Sequence, residues 1–342
     1  MKIKNSLIML SAALATIACS KDENLIEQEA LHNEKETFQD AERAYFDKSG
    51  TVTEGYFLGL PISYENVEGN YIFEGDIIIP QDMITSKDTK AVLENGEFPQ
   101  VGKSVGRTSG RWPNNTVYYE IASNLPNQAR VTNAIASWEN NTNLKFVERT
   151  NQSNYIYFQS GSGCSSSVGM VGGRQTINLA SGCSTGNTIH EIGHAIGLWH
   201  EQSRADRDQY ITINFNNIQA GKENNFQTYV QRGRDGDEYT NTLDFGSIMM
   251  YGPNSFSKNG QPTITKKDGS SYSVQRNALS SNDLQGIAQM YPSGGGEPIY
   301  VNGQYYTVNG LRVYRSNDTW YYYSSSNGWR EVVYRDGAWY YA

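Results

Sequence analysis

A chain of 342 residues is long enough for one large domain with appendages, or for two domains of ordinary size. With 37% hydrophobic and 19% charged residues it is a little poor in apolar side chains, yet it is no disordered polymer. A formal net charge of -8 argues against nucleic acid and anionic membrane surfaces as partners.

Residues 1–19 read as an export signal. Lys2 and Lys4 precede an apolar run, Leu7 to Ala18, that is too short to cross a bilayer. The run closes on Cys19, followed by Ser20-Lys21-Asp22-Glu23. Two readings stand. Cys19 resembles the lipidated residue of a bacterial lipoprotein, although Thr16 and Ile17 depart from the usual residues, and the Lys-Asp-Glu run resembles a surface-export signal. Otherwise the chain is cut after Ala18 and released. Either way the protein is exported, extracellular or held at the outer membrane or cell surface, with a lipid anchor as its only membrane link. In that oxidising setting Cys164 and Cys183 point to a disulfide rather than two free thiols.

Residues 20–50 are charged and apolar-poor, and read as a solvated tether or loose helix. Short extended runs follow over 51–98, of which Tyr71-Ile72-Phe73 and Ile77-Ile78-Ile79 are the clearest. The stretch 95–111, rich in Gly, Ser and basic residues (Lys103, Arg107, Arg111), is suited to proteolytic nicking. A globular pattern begins at Trp112. Strands are predicted over Thr116–Ile121, Leu144–Val147, Tyr155–Phe158 and Thr176–Leu179. Val131, Ile135 and Trp138 recur at helical spacing and predict an amphipathic helix over Asn127–Asn141. A second helix is predicted over Thr188–Leu198, with Ser184 or Thr185 at its cap. A third, over Ser281–Met290, follows a long loop-rich stretch. Strands and helices without strict alternation indicate an α+β domain. Past a linker at Ser293-Gly294-Gly295-Gly296, the tail 297–342 carries strand-like pieces, most parted by Asn-Gly or Asp-Gly pairs, and reads as a small all-β module. Its rows of Tyr and Trp are either a binding face for a polysaccharide or other surface polymer, or the limited core of a small module.

The chemistry is concentrated between His190 and Glu201. His190 and His194, four apart, lie on one face of a helix and can reach one metal at about 2.0–2.1 Å. Glu191 points beside that metal, where a carboxylate can hold and deprotonate a water. Gly197 ends the helix in a left-handed conformation, so the chain turns back and His200 reaches the same metal. Three neutral nitrogens with an open fourth position form the catalytic zinc pattern rather than the structural one. The chain has four His and three of them fall in this run, which weighs against a chance match.

This run is the long metzincin motif, and with its surroundings the chain resembles the astacin family of zinc endopeptidases, in particular its bacterial, flavastacin-like members. Glu201 after the third His, then Arg204, Asp206, Arg207 and Asp208, carry the resemblance, as does the Met-turn-like Ser247-Ile248-Met249-Met250-Tyr251. Met250 stands where the family usually has His. The resemblance implies a metzincin zinc-protease domain over 106–293, with an N-terminal sheet, an active-site helix and a loop-rich second half. A tether and inhibitory pro-segment (20–105) precede it, and the β module (297–342) follows.

The same resemblance implies one zinc ion on His190, His194 and His200, with Met249 beneath the ligands and a disulfide between Cys164 and Cys183. Tyr251 would be a switchable ligand that swings out to stabilise the oxyanion. Phe73-Glu74-Gly75-Asp76 resembles the family's pro-segment motif, whose Asp binds the metal in place of water, so Asp76 would keep the enzyme latent. Cleavage within about 90–106 would free an N-terminus that folds inward onto Glu201. Gln275-Arg276-Asn277-Ala278-Leu279-Ser280 resembles a segment that sets a basic residue against the residue after the scissile bond. Arg276 would then favour Asp or Glu there, the bland alternative being a surface Arg. The expected reaction is metal-assisted hydrolysis of proteins or peptides. Glu191 serves as general base, Tyr251 with zinc stabilises the oxyanion, and the strand Thr176–Leu179 takes the substrate backbone as an added strand. A zinc-containing adhesin without turnover on the same scaffold is the competing reading; Glu191 argues against it.

Overall fold

In the computed structural model the described residues are 43–57, 60–84, 110–229, 231, 239–240, 242–293, 302–308, 311–324, 328–335 and 338–342. The signal segment with Cys19, the activation stretch 90–106 and the linker glycines lie outside them. Among the described residues no helix is long and apolar enough to cross a membrane.

The strands β1 (Thr51–Phe57), β2 (Leu60–Val67), β3 (Asn70–Phe73) and β4 (Ile77–Ile79) form an antiparallel meander. β5 (Thr116–Ile121), β6 (Lys145–Glu148), β7 (Tyr155–Gln159), β8 (Cys164–Ser166) and β9 (Arg174–Leu179) continue it into one sheet, ordered β1-β2-β3-β4-β8-β9-β7-β5-β6. β6, β5, β7 and β9 run parallel, while β8 runs against β9. The two halves join where Ile77 pairs in parallel with Ser166.

Alternation along the strands buries Ile156 and Phe158 of β7 with Ile177 and Leu179 of β9 on one face. Two helices cover that face, α1 (Ala129–Asn141) and α2 (Thr185–Ala195). Val131, Ile135 and Trp138 of α1 meet Ile189 and Ile192 of α2 in a shared core, each such side chain contributing about 1.5–3 kcal/mol by leaving water. The Trp138 indole donates to the Ile189 carbonyl at 3.2 Å, and Arg130 donates to the carbonyls of Ala180 and Cys183, both at 2.6 Å. A Cys164–Cys183 disulfide, Cα to Cα 6.0 Å, ties β8 to the turn before α2. Beyond α2 the chain is loop-rich. β10 (Ile211–Ile213) and β11 (Ile264–Lys266) pair, and α3 (Ser281–Met290) returns Ile287 and Met290 to the first core.

The structure departs from the sequence expectations in four places. α1 starts at Ala129, because Asn127 takes a left-handed φ of 51°. α2 starts three residues early, where Ser184 caps it, and ends before Gly197, whose φ is 113°. Residues 43–46 are not a solvated tether. Ala44 is buried, the Cys164 amide donates to the Arg43 carbonyl at 3.0 Å, and the Ala44 amide donates to Gly75 at 2.7 Å. Finally, Thr176–Leu179 cannot take a substrate strand, because β9 is hydrogen-bonded to β7 on one side and β8 on the other. The side of this part of the sheet left for further pairing is that of β8, and β4 occupies it.

The tail forms its own antiparallel meander of β12 (Gln304–Val308), β13 (Leu311–Ser316), β14 (Thr319–Ser324), β15 (Gly328–Arg335) and β16 (Ala338–Tyr341). Val313, Val332, Trp339 and Tyr341 bury one face, whereas Tyr305, Tyr323 and Trp329 stay exposed. The aromatics thus divide between a small buried core and an exposed face.

Candidate metal centre

α2 is set by its cap. The Ser184 hydroxyl accepts from the Asn187 amide at 3.2 Å, and the Asn187 side chain accepts from the Ser184 amide at 2.8 Å. Gly193 lets the helix lie close to the next layer, since a Cβ there would sit 2.7 Å from the Met249 sulfur. One turn apart on this helix, His190 and His194 bring their rings to 4.7 Å between centroids. After Gly197 reverses the chain, His200 stands 4.6 Å from the His194 ring.

Each imidazole is oriented through Nδ1. His190 Nδ1 lies 2.8 Å from the Ile248 carbonyl, His194 Nδ1 lies 2.8 Å from the Leu198 carbonyl, and His200 Nδ1 lies 2.6 Å from Glu74 Oε2. All three partners are acceptors, so Nδ1 carries the proton and the Nε2 lone pairs are left to converge. They converge on Asp76: its carboxylate oxygens lie 3.3 Å from His190 Nε2, 3.7 Å from His194 Nε2 and 3.2 Å from His200 Nε2. Four ligand atoms, one from each residue, fall within 4.8 Å of one another.

Asp76 arrives on a hairpin. β3 and β4 pair Phe73 with Ile77, and Glu74 and Gly75 make the tip with φ of 50° and 88°. Glu74 and Asp76 are both buried there. Burial alone would push the Asp76 carboxyl up; the facing imidazoles, His200 foremost, outweigh it and hold the carboxyl well below its usual range. Burial lowers the His190 pKa to about 3 and lowers that of His194 too. Imidazole nitrogens converging on an ionised carboxylate are a donor set for a divalent cation.

The fit to zinc is direct. His190 Nε2, His194 Nε2 and Asp76 Oδ1 are buried with no hydrogen-bond partner, a costly state that a cation relieves. Three imidazole nitrogens and one carboxylate oxygen match a four-coordinate zinc site.

Around this centre the remaining sequence-predicted residues take their places. Glu191 follows His190 on α2 and is fully buried. Met249 packs under the helix at Gly193, and its carbonyl accepts from the Glu201 amide at 3.0 Å. Tyr251 is buried with its ring 4.5 Å from that of His200, and its hydroxyl donates to the Glu74 carbonyl. Glu201 accepts from the Asp244 amide at 2.9 Å, and burial pushes its carboxyl up to about 7 against the pull of Arg204. It lines a cavity of about 80 Å³ with Trp199, Tyr229, Tyr239 and Asn282. Arg276 is no surface residue: it is buried, and donates to the Met250 carbonyl at 3.0 Å. Its own carbonyl presses on Gly186, where a Cβ would come within 1.5 Å of it.

Two supporting residues escaped the sequence reading. Glu74 was visible only as a neighbour of Asp76, because its partner His200 lies 126 residues away. Asp283, in the α3 capping box, also accepts from the Ser247 hydroxyl at 2.6 Å and the Ile248 amide at 2.9 Å, so it pins the turn that orients His190.

Residues 104–292 match the sequence model of Astacin (Peptidase family M12A). Zinc metalloproteinase nas-4 of Caenorhabditis elegans is 35% identical over 240 residues, which cover 68% of this chain and 73% of that protein. Blastula protease 10 of Paracentrotus lividus is 39% identical over 225 residues, covering 62% of this chain and 37% of the other. Flavastacin of Elizabethkingia meningoseptica is 39% identical over 190 residues, covering 53% and 42%. The chain therefore spans less than half the length of two of these relatives and about three quarters of the third, at 37%, 42% and 73%.

Proposed function

The chain belongs to the astacin family, peptidase family M12A, and from that membership we propose that it is an exported zinc endopeptidase made as a latent proenzyme. The observation that carries this reading is the Asp76 carboxylate set among three Nε2 atoms, at 3.2, 3.3 and 3.7 Å, with Glu191 on the same helix. His190, His194 and His200 would hold a zinc ion, which would supply Lewis-acid activation of water and of the scissile carbonyl.

The chain's own residues do the rest. Glu191 accepts the proton of the attacking water and delivers it to the leaving amine. The Tyr251 hydroxyl, parked on the Glu74 carbonyl in the proenzyme, is released with the hairpin and donates to the developing oxyanion. Asp76 fills the fourth ligand position and excludes the nucleophile until the pro-segment is cut away within about 90–106. The new N-terminus then reaches Glu201, whose raised pKa and neighbouring cavity suit a buried partner of opposite charge. Arg276, at the Gly186 end of α2, gives a preference for Asp or Glu after the scissile bond. Export follows from residues 1–19, with Cys19 as the lipid anchor, and the exposed aromatics of the tail hold a surface polysaccharide.

A binding protein without turnover has no use for a buried carboxylate beside the metal ligands, and Glu191 supports an enzyme. The test is trypsin activation followed by digestion of a peptide library. Chelator-sensitive cleavage is expected, and Glu191→Ala should lose it by roughly 10³-fold or more while keeping about one zinc per chain. Cleavage that survives chelation, or full activity in Glu191→Ala, would contradict the proposal.

A further inference from the structure

The hairpin that blocks the metal also covers an apolar patch beside it. Behind the tip, Phe73 and Ile77 face the same way and are buried with Ile62, Tyr64, Ile79 and Met83. The partners across it are Val168 and Val171, in the loop between β8 and β9, and Trp199, beyond α2. Phe73 meets Trp199 edge to face, with centroids 6.2 Å apart and planes at 75°.

That patch does not depend on the hairpin for its shape. The Gly169 amide donates to the His194 carbonyl at 2.7 Å, the Val171 amide to Gln175 Oε1 at 3.1 Å, and Gln175 Nε2 to the Gly169 carbonyl at 2.9 Å. Gln175 is itself buried on β9, and Trp199 is fixed between the Gly197 turn and the ligand His200. All these anchors stay behind when the pro-segment leaves. What it uncovers is a preformed apolar wall next to His194 and His200.

Its position relative to Arg276 gives it a side. Arg276 presses on Gly186 near the start of α2, whereas Gly169 bonds to His194 near its end. Eight residues of helix separate the two contacts, about 12 Å at 1.5 Å per residue, with His190 and His194 along that span. A substrate crossing the metal meets Arg276 on one side and the apolar wall on the other.

We propose that Val168, Val171 and Trp199 form a subsite of the activated enzyme that takes a bulky apolar side chain, aromatic or branched, on the N-terminal side of the scissile bond. This rests on the proteolytic reading above and names its substrate class: segments in which an apolar residue precedes, and an acidic one follows, the cut. The hairpin occupies this place in the structure, with Phe73 and Ile77 standing where the substrate side chain goes.

The experiment compares two peptides that differ only in having Phe or Ala before the cut, chosen from the library digest of the activated enzyme. The ratio of their kcat/KM values is expected to be roughly tenfold or more in favour of Phe, as full burial of an aromatic ring provides. In Trp199→Ala the ratio should collapse to about twofold or less, and in Val171→Ser it should fall by roughly threefold. Zinc content and near-ultraviolet circular dichroism identify folded variants, and if Trp199→Ala does not fold, Val171→Ser decides. Chelator-sensitive cleavage with no apolar preference before the cut, or with a preference unchanged in the folded variants, overturns the subsite and leaves the protease reading standing. No chelator-sensitive cleavage at all overturns both.

Discussion

At the scale of single residues, three histidines become ligands through what their other nitrogens touch. Two Nδ1 atoms rest on backbone carbonyls, Ile248 and Leu198, and the third rests on Glu74. Backbone acceptors of this kind hold the tautomer with or without the β3–β4 hairpin; in the proposed activation Glu74 would leave with it. Arg276 donates to the Met250 carbonyl and so stands one residue from the Tyr251 turn. Replacing Arg276 with Ala should therefore reduce any advantage of Asp or Glu after the cut by roughly 10- to 100-fold, the worth of one charge-assisted hydrogen bond. Comparing kcat/KM for peptides with Asp and Asn at that position checks it; an unchanged ratio would remove Arg276 from the pocket. The histidine run and Glu191 could be read from the sequence because ligand spacing on a helix is local. Glu74 and Asp283 could not be assigned their roles, since their partners lie 126 and 36 residues away and no local pattern records such distances.

At the scale of elements, α2 and the β3–β4 hairpin carry the site. The sequence offered Ser184 or Thr185 as the cap of α2, and Ser184 caps it; only the helix body was begun late, at Thr188, where the apolar periodicity starts. It took the wrong strand as the one to receive substrate, because the identity of a sheet edge depends on long-range order and not on any strand's own residues. The Cys164–Cys183 bridge closes a separation of 19 residues between β8 and α2. Replacing both cysteines with Ser should lower the unfolding free energy by roughly 2–4 kcal/mol, read as a fall in the urea midpoint. A midpoint that does not move would show the bridge to be dispensable to this domain. If the hairpin tip is the latch proposed above, Asp76→Ala should give cleavage of peptide, or self-degradation, before any activating protease is added.

At the scale of the whole molecule, the proposed pro-segment is built into the fold rather than tethered beside it. Its four strands extend the sheet through the Ile77–Ser166 pair, its apolar side chains share a cluster with Val168 and Trp199, and Lys222 pairs with Glu65 of β2. A metal held there would join the same two halves, through Asp76 on one and three imidazoles on the other. Stripping zinc from the proenzyme should thus lower its thermal midpoint by several degrees, and equimolar zinc should restore it, as expected for a ligand bound only by the folded chain. A midpoint indifferent to chelator would separate the metal from the stability of the latent form.

The most direct measurement is peptide hydrolysis by the purified proenzyme and its Asp76→Ala variant, each with and without trypsin and each with and without chelator. The wild-type proenzyme should be silent before trypsin and active after it. Asp76→Ala should be active from the start, and chelator should abolish every active state. A wild-type proenzyme as active before trypsin as after, or hydrolysis that persists in chelator, would contradict a latent zinc endopeptidase.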